Sequence, residues 1–171
     1  MSLSGTPAFD IKLTLESAED TTALARVLAP LLTAGDVILL HGPIGAGKTH
    51  FCRALVHQRL AMMGRSEDVP SPTFTLVQVY ELGDVDLWHA DLYRLSHAEE
   101  VVELGMEEAF ETAICLVEWP DRLGNLRPAG ALDLTLEPDA AGQVRRAQLH
   151  SDGAHWAKVF AALRGLGSGH D

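Results

Sequence analysis

Apolar and polar residues alternate strictly from Phe9 to Leu15. Phe9, Ile11, Leu13 and Leu15 are apolar, with Asp10, Lys12 and Thr14 between them. That two-residue period predicts a strand with one buried face. The period then lengthens. Leu24, Val27, Leu28, Leu31 and Leu32 recur at helical spacing behind Ser17, a residue type suited to an N-cap. Pro30 falls inside this stripe and predicts a kink or stop near Ala29, and Gly35 marks a firm end. Asp36–His41 is almost continuously apolar, as expected of a central parallel strand covered on both faces. Thr49–Leu60 has neither Gly nor Pro and reads as a helix. Phe51, Leu55 and Met62 fall on one side of it, and Cys52, Val56 and Leu60 on another.

Farther along, Ser71-Pro72-Thr73-Phe74 opens a strand over Thr75–Tyr80. The Gly83-Asp84 turn leads into a second strand over Val85–Asp91, which together form a hairpin. His97–Glu103 and Met106–Thr112 read as short acidic helices separated at Gly105, and Ile114–Val117 as a buried strand ending in Glu118-Trp119-Pro120. A loop is expected from Pro120 to Gly130. Two strands follow, around Leu132-Leu134-Leu136 and Val144-Ala147-Leu149, joined through Pro138–Gly142. Asp152 is placed to cap a last helix carrying Trp156, Val159, Phe160 and Leu163, and residues from about Gly165 to Asp171 read as a flexible tail. There is no internal repeat and no dividing linker, so residues 1–171 are expected to form one domain. The order of elements predicts an α/β fold: a three-layer sandwich around a mixed, mainly parallel sheet with an antiparallel hairpin.

The chemistry centres on Gly42-Pro43-Ile44-Gly45-Ala46-Gly47-Lys48-Thr49, a full match to the phosphate-loop pattern G-x-x-x-x-G-K-[ST] between a strand and a helix. A loop that wraps a phosphate chain turns successive backbone N–H groups inward. Gly42, Gly45 and Gly47 permit the necessary backbone angles. The helix behind the loop adds unpaired N–H groups and the positive end of its dipole. Lys48 is a mobile point charge for β- and γ-phosphate oxygens, and Thr49 offers a hydroxyl to Mg²⁺, which prefers oxygen ligands.

A metal bound there also needs a carboxylate from a strand end. Glu118 follows four apolar residues, the pattern of a buried parallel strand, and best fits that part. Asp91 ends a hairpin strand and is expected to reach the metal through water or to orient the attacking water. Arginine pairing or helix capping would explain either carboxylate structurally. Thr73 is a candidate switch residue near the γ-phosphate, while His89 reads as a packed or hydrogen-bonded histidine. The eight histidines show no metal-type spacing with the cysteines.

Charge narrows the partners. The chain has a formal charge of −11 and only three lysines, one of them in the glycine loop. Strong direct binding of DNA or RNA is not expected, because such proteins normally carry a basic face; room remains only for a local basic patch. No apolar run is long enough to span a membrane. The first seven residues lack the basic-then-apolar order of a secretory leader, and two cysteines in apolar elements suit a reducing compartment, so a cytoplasmic location is expected.

Four segments in order carry a resemblance. The glycine loop is followed by Ser71-Pro72-Thr73-Phe74, then His89-Ala90-Asp91-Leu92-Tyr93-Arg94-Leu95, then Glu118-Trp119-Pro120. This arrangement, from about Glu16 to about Arg146, resembles the TsaE (YjeE) family of small bacterial ATPases. The core motifs show no departure from it; at Pro43-Ile44, a variable part of the loop, the family often has Asp-Leu. The resemblance implies a P-loop ATPase fold, with ATP/ADP and Mg²⁺ as ligands. It also implies service in threonylcarbamoylation of the adenosine next to the anticodon of tRNA. In the family, TsaD and TsaB proteins carry out the transfer; TsaE docks on their complex and meets tRNA only through it. By position, Thr49 and Glu118 would hold Mg²⁺ with Asp91 near it, Lys48 and the loop would hold phosphates, and Thr73 and Asp91 would take switch-like and catalytic places. Trp119 would support nucleotide or partner contacts. Glu19 and Thr21, in the segment running to Thr22, would lie on the adenine side, and Arg145 or Arg146 would close the site. Hydrolysis is expected to be slow without partners.

Other readings remain. A small-molecule kinase of this fold needs clustered lid arginines, for which Arg122 and Arg127 are the candidates. A GTPase needs an N/T-K-x-D segment, and the single asparagine, Asn125, stands in none. A binding module gated by ATP without turnover would share the same loop.

Overall fold

The computed structural model describes residues 8–168, the last three by backbone alone. The alternating segment forms β1 (Phe9–Leu15). Ser17 caps α1 (Ala18–Leu28), its side chain accepting a hydrogen bond from the Asp20 N–H. Pro30 ends that helix as expected, and residues Ala29–Leu31 tighten into a 3₁₀ turn. Next come β2 (Val37–His41) and α2 (Lys48–Met62), then β3 (Val77–Glu81) and β4 (Asp86–Asp91), the expected antiparallel hairpin. The chain continues through α3 (Glu99–Glu103), α4 (Met106–Thr112) and β5 (Ile114–Glu118). It finishes with β6 (Leu132–Pro138), β7 (Arg145–Ser151) and α5 (Ala157–Ser168).

The seven strands form one sheet in the order β1-β7-β6-β2-β5-β4-β3. β6, β2, β5 and β4 pair in parallel at its centre. β7, β1 and β3 are added by antiparallel pairing. Because β1 reverses β7 and β7 reverses β6, five of the seven strands run the same way. The sheet is therefore mixed and mainly parallel by direction.

Alternation along the buried strands divides the core in two. Ile38, Leu40, Ile114 and Leu116 face one side, under α1, α2 and α5. Val37, Leu39, Cys115 and Val117 face the other, under α3 and α4. Helices thus cover both faces, which is why β2 and β5 read as unbroken apolar runs. Both cysteines are buried and free.

Some expectations shift. The Ser71-Pro72-Thr73-Phe74 segment forms a turn, closed by the Leu76 N–H donating to the Pro72 carbonyl, and the strand starts two residues later than Thr75. Met62 is 51% exposed because α2 runs off the edge of the core there. Pro120–Leu126 is 3₁₀-helical with a break at Gly124, where an open loop was expected. Asp152 caps nothing: a 3₁₀ turn over Ala154–Trp156 precedes α5, and Ser151 Oγ accepts from the Gly153 N–H. Residues 165–168, read as tail, belong to α5, while Gly169 to Asp171 lie outside the described residues.

Candidate functional site

The glycine loop leaves β2 and enters α2 at Gly47, whose φ of 103° suits glycine. Gly42 has φ 145°, and a Cβ built there would lie 2.4 Å from the Leu136 carbonyl oxygen of the neighbouring β6. Arg145, the first residue of β7, braces the loop from outside, donating through Nε to the Ala46 carbonyl (2.8 Å) and through Nη2 to that of Gly45 (3.2 Å). Lys48 is 5% exposed. Its ammonium donates to the carbonyls of Gly42 and Pro43, and lies 3.8 Å from the centre of the Trp119 ring. Burial lowers its pKa, opposed by the nearby Glu118 and Asp91 charges. Trp119 directs its ring from a left-handed backbone (φ 59°) at the end of β5, tilted against Tyr93.

The carboxylates come from adjacent parallel strands. Asp91 of β4 pairs directly with Glu118 of β5, and Leu40 of β2 lies on the other side of Glu118. The period of two that buries Leu87, Ile114 and Leu116 under α2 places His89, Asp91 and Glu118 on the same face, beside the N-terminus of that helix. Thr49 Oγ1 donates to Glu118 Oε1 at 2.7 Å. The other carboxylate oxygen, Oε2, lies 2.7 Å from Nε2 of His89, which is fully buried. Asp91 Oδ1 accepts from the Tyr93 N–H (3.1 Å), and its Oδ2 makes a long contact of 3.5 Å with the Thr73 hydroxyl. Burial raises the Asp91 pKa, the Tyr93 N–H partly offsetting it and the Glu118 charge adding to it.

These groups share a cleft of about 380 Å³ at the carboxyl ends of the parallel strands, bordered by the loop from Ile44 to Thr49 and by Thr73, Asp91, Glu118 and Trp119. Lys48 is held there by the Gly42 and Pro43 carbonyls. The two carboxylates that competed in the sequence are neighbours in one site, and Glu118 is the one bonded to Thr49. Arg145 lies behind the loop, and Arg146 lies in a separate groove. Glu19 is exposed in the first turn of α1, Thr21 is buried within that helix, and neither borders the cleft. α1 meets the border of the cleft through Thr22, whose Oγ1 lies 2.8 Å from Nε2 of His50, and through the Ala18 carbonyl, 3.2 Å from the same nitrogen; the sequence did not single out His50.

His89 is packed and hydrogen-bonded, as expected. The fold nevertheless gathers what spacing had not shown: ligand-type atoms of Cys52, His89 and Glu118 lie within 4.8 Å of one another. Burial holds the Cys52 thiol well above its usual range, so this cluster presents a neutral thiol behind the carboxylate. Toward the cleft the donors are oxygens, from Thr49, Glu118 and Asp91. That set fits a hard cation such as Mg²⁺.

Fold and cleft together define a three-layer α/β protein that carries a glycine loop and an oxygen-rich polar site at the carboxyl edge of its parallel strands. The family model for the threonylcarbamoyl adenosine biosynthesis protein TsaE matches residues 15–147. The chain belongs to the TsaE family. A tRNA threonylcarbamoyladenosine biosynthesis protein TsaE from Rickettsia conorii is 40% identical over 124 residues, covering 72% of this chain and 69% of the relative. Its counterpart from Bacillus subtilis is 35% identical over 120 residues, covering 70% and 72%. The crystal structure of Bacillus subtilis YdiB superposes with a TM-score of 0.73 at 25% identity, covering 96% of this chain and 99% of that one. Among the described residues no helix is long and apolar enough to cross a membrane.

Proposed function

We propose that this protein is an Mg²⁺-dependent ATPase with a P-loop NTPase fold. It serves tRNA threonylcarbamoyladenosine formation by docking in the cytoplasm on a complex of TsaD and TsaB proteins, and it meets tRNA only through them. The observation that carries the reading is the 2.7 Å bond between Thr49 and Glu118, which sets a hydroxyl and a carboxylate side by side at the mouth of the glycine loop. Thr49 and Glu118 would hold Mg²⁺ with Asp91 next to them. The ion, when bound, neutralises charge on the phosphates.

The chain's own residues do the remainder. Loop N–H groups and the α2 N-terminus bind the phosphate oxygens, and Lys48 exchanges the Gly42 and Pro43 carbonyls for them. Asp91, tied to Thr73 and the Tyr93 N–H, orients the attacking water. Trp119 covers the lysine and keeps bulk water from it. Among the described residues no arginine lines the cleft to steady the transferring phosphoryl group, which supports slow turnover until a partner completes the site. The kinase reading loses support for the same reason: neither Arg122 nor Arg127 borders the cleft, and Arg127 is paired with Asp133.

Phosphate release from ATP by the purified chain, with and without TsaD–TsaB, tests the proposal. The expected result is release that rises at least about tenfold with the partners and falls about a hundredfold or more in Glu118→Ala. Equal turnover with and without partners would remove the partner-completed site. Phosphate transfer to a small alcohol would restore the kinase.

A further inference from the structure

A second groove, of about 540 Å³, runs along the solvent side of α2 against α1. Its charged walls are Arg26 of α1, Arg53 of α2 and Arg65 just beyond, with the His57 imidazole of α2 beside them. Among the described residues no acidic side chain lines it, although the chain has 24 Asp and Glu. Arg26 and His57 are exposed. Among the described residues neither has a hydrogen bond or ion pair. Arg53 commits only its Nε, to the Val69 carbonyl at 2.6 Å, leaving its outer nitrogens for a ligand. Arg65 is tied to Glu67 and to the Glu81 carbonyl, and it frames the far end. Small side chains, Ala54 and Ala61, keep the floor open between these groups.

We propose that this groove binds an acidic segment of a partner protein. On a surface rich in carboxylates, the Arg26 guanidinium and the outer nitrogens of Arg53 lie grouped without an ion pair among the described residues, and a short run of Asp or Glu supplies the matching charge. From His50 to Ala61, α2 rises about 16 Å, room for an extended peptide of about five residues. A nucleic acid fits less well. A single strand would extend past both ends of the groove onto a chain of net charge −11. None of the ten residues lining the groove is Phe, Tyr or Trp, the usual platforms for stacked bases. At its near end the groove reaches His50, which also borders the glycine-loop cleft, so the bound segment would lie beside the nucleotide site. The proposal holds whether or not the cleft turns ATP over.

The test uses the full chain and fluorescein-labelled hexaglutamate, followed by fluorescence anisotropy. Binding is expected at about 20 mM salt, weakening at least about tenfold by about 200 mM. Arg26→Glu and His57→Glu are each expected to weaken it about tenfold, with circular dichroism and binding of a fluorescent ATP analogue unchanged. Arg26→Ala is the milder second variant and should lower affinity in the same direction. Absence of peptide binding at low salt would overturn the proposal, as would unchanged affinity in the variants. Tighter binding of labelled hexauridylate, lost in those variants, would assign the groove to RNA instead.

Discussion

At position 42 there is room for nothing beyond a hydrogen atom. The built Cβ lies 2.4 Å from a backbone oxygen of β6, which cannot yield without shifting the strand, and φ is 145°. Gly45 also has a positive φ, of 83°, but no atom lies within 4 Å of its built Cβ. Gly42→Ala is therefore expected to lower stability by about 2 kcal/mol and to abolish binding of a fluorescent ATP analogue. Gly45→Ala should cost about 1 kcal/mol of backbone strain. Thermal melts and nucleotide titrations of the two variants check this. The phosphate-loop pattern marked both glycines in the sequence, but the reason for Gly42 is a neighbour 94 positions away, in Leu136. Trp119 is similar. Its residue type was legible, whereas the left-handed turn that lays its ring over Lys48 was not.

Elements were most legible where one local signal settled them. Ser17, followed by acidic residues and a helical stripe, becomes the cap of α1, and Pro30 ends the helix as its missing N–H requires. Ser17→Ala is expected to lower stability by about 1 kcal/mol, read as a lower urea midpoint with an unchanged slope. The start of β3 was misplaced because Leu76 takes φ 71°, which extends the turn after Pro72. No leucine announces that angle; the hydrogen bond to the Pro72 carbonyl imposes it. The Asp152 cap failed because Ser151 took the Gly153 N–H first and a 3₁₀ turn intervened. On α1 the 3.6-residue turn buries Thr21 and brings the adjacent Thr22 to His50 at the border of the cleft, a difference that residue order did not show.

Across the whole molecule, long-range pairs lock the sheet. Asp133 of β6 accepts from His41 at the end of β2 (2.7 Å) and from Arg127, just after the preceding 3₁₀ segment (2.9 and 2.5 Å). Burial pushes the Asp133 carboxyl up, but these hydrogen bonds and the Arg127 charge outweigh it and hold the group at about 2, below the ordinary 3.8. A carboxyl depressed in the folded state stabilises fully above its unfolded pKa, and that contribution disappears as pH falls through the folded value. Asp133→Asn is therefore expected to cost about 1 kcal/mol at neutral pH, allowing for screening at the partly exposed Arg127. The difference should close as pH falls from about 4 to about 2. Urea midpoints of both proteins across that range measure it. The same packing shields both cysteines, and burial pushes the Cys115 thiol up to about 12.

The glycine loop, its flanking strand and helix, and the two buried central strands could be read from residue order alone. Each rests on short-range physics: glycine's backbone freedom, the 3.6- and 2-residue periods, and the removal of apolar runs from water. Strand order could not be read that way, because parallel pairing joins segments far apart in the chain. That order is what sets Asp91 beside Glu118, brings His89 and Cys52 behind the carboxylate, and turns Arg145 onto the back of the loop. It also leaves Arg26, Arg53 and His57 together in one groove, on a chain whose overall charge gave no sign of it.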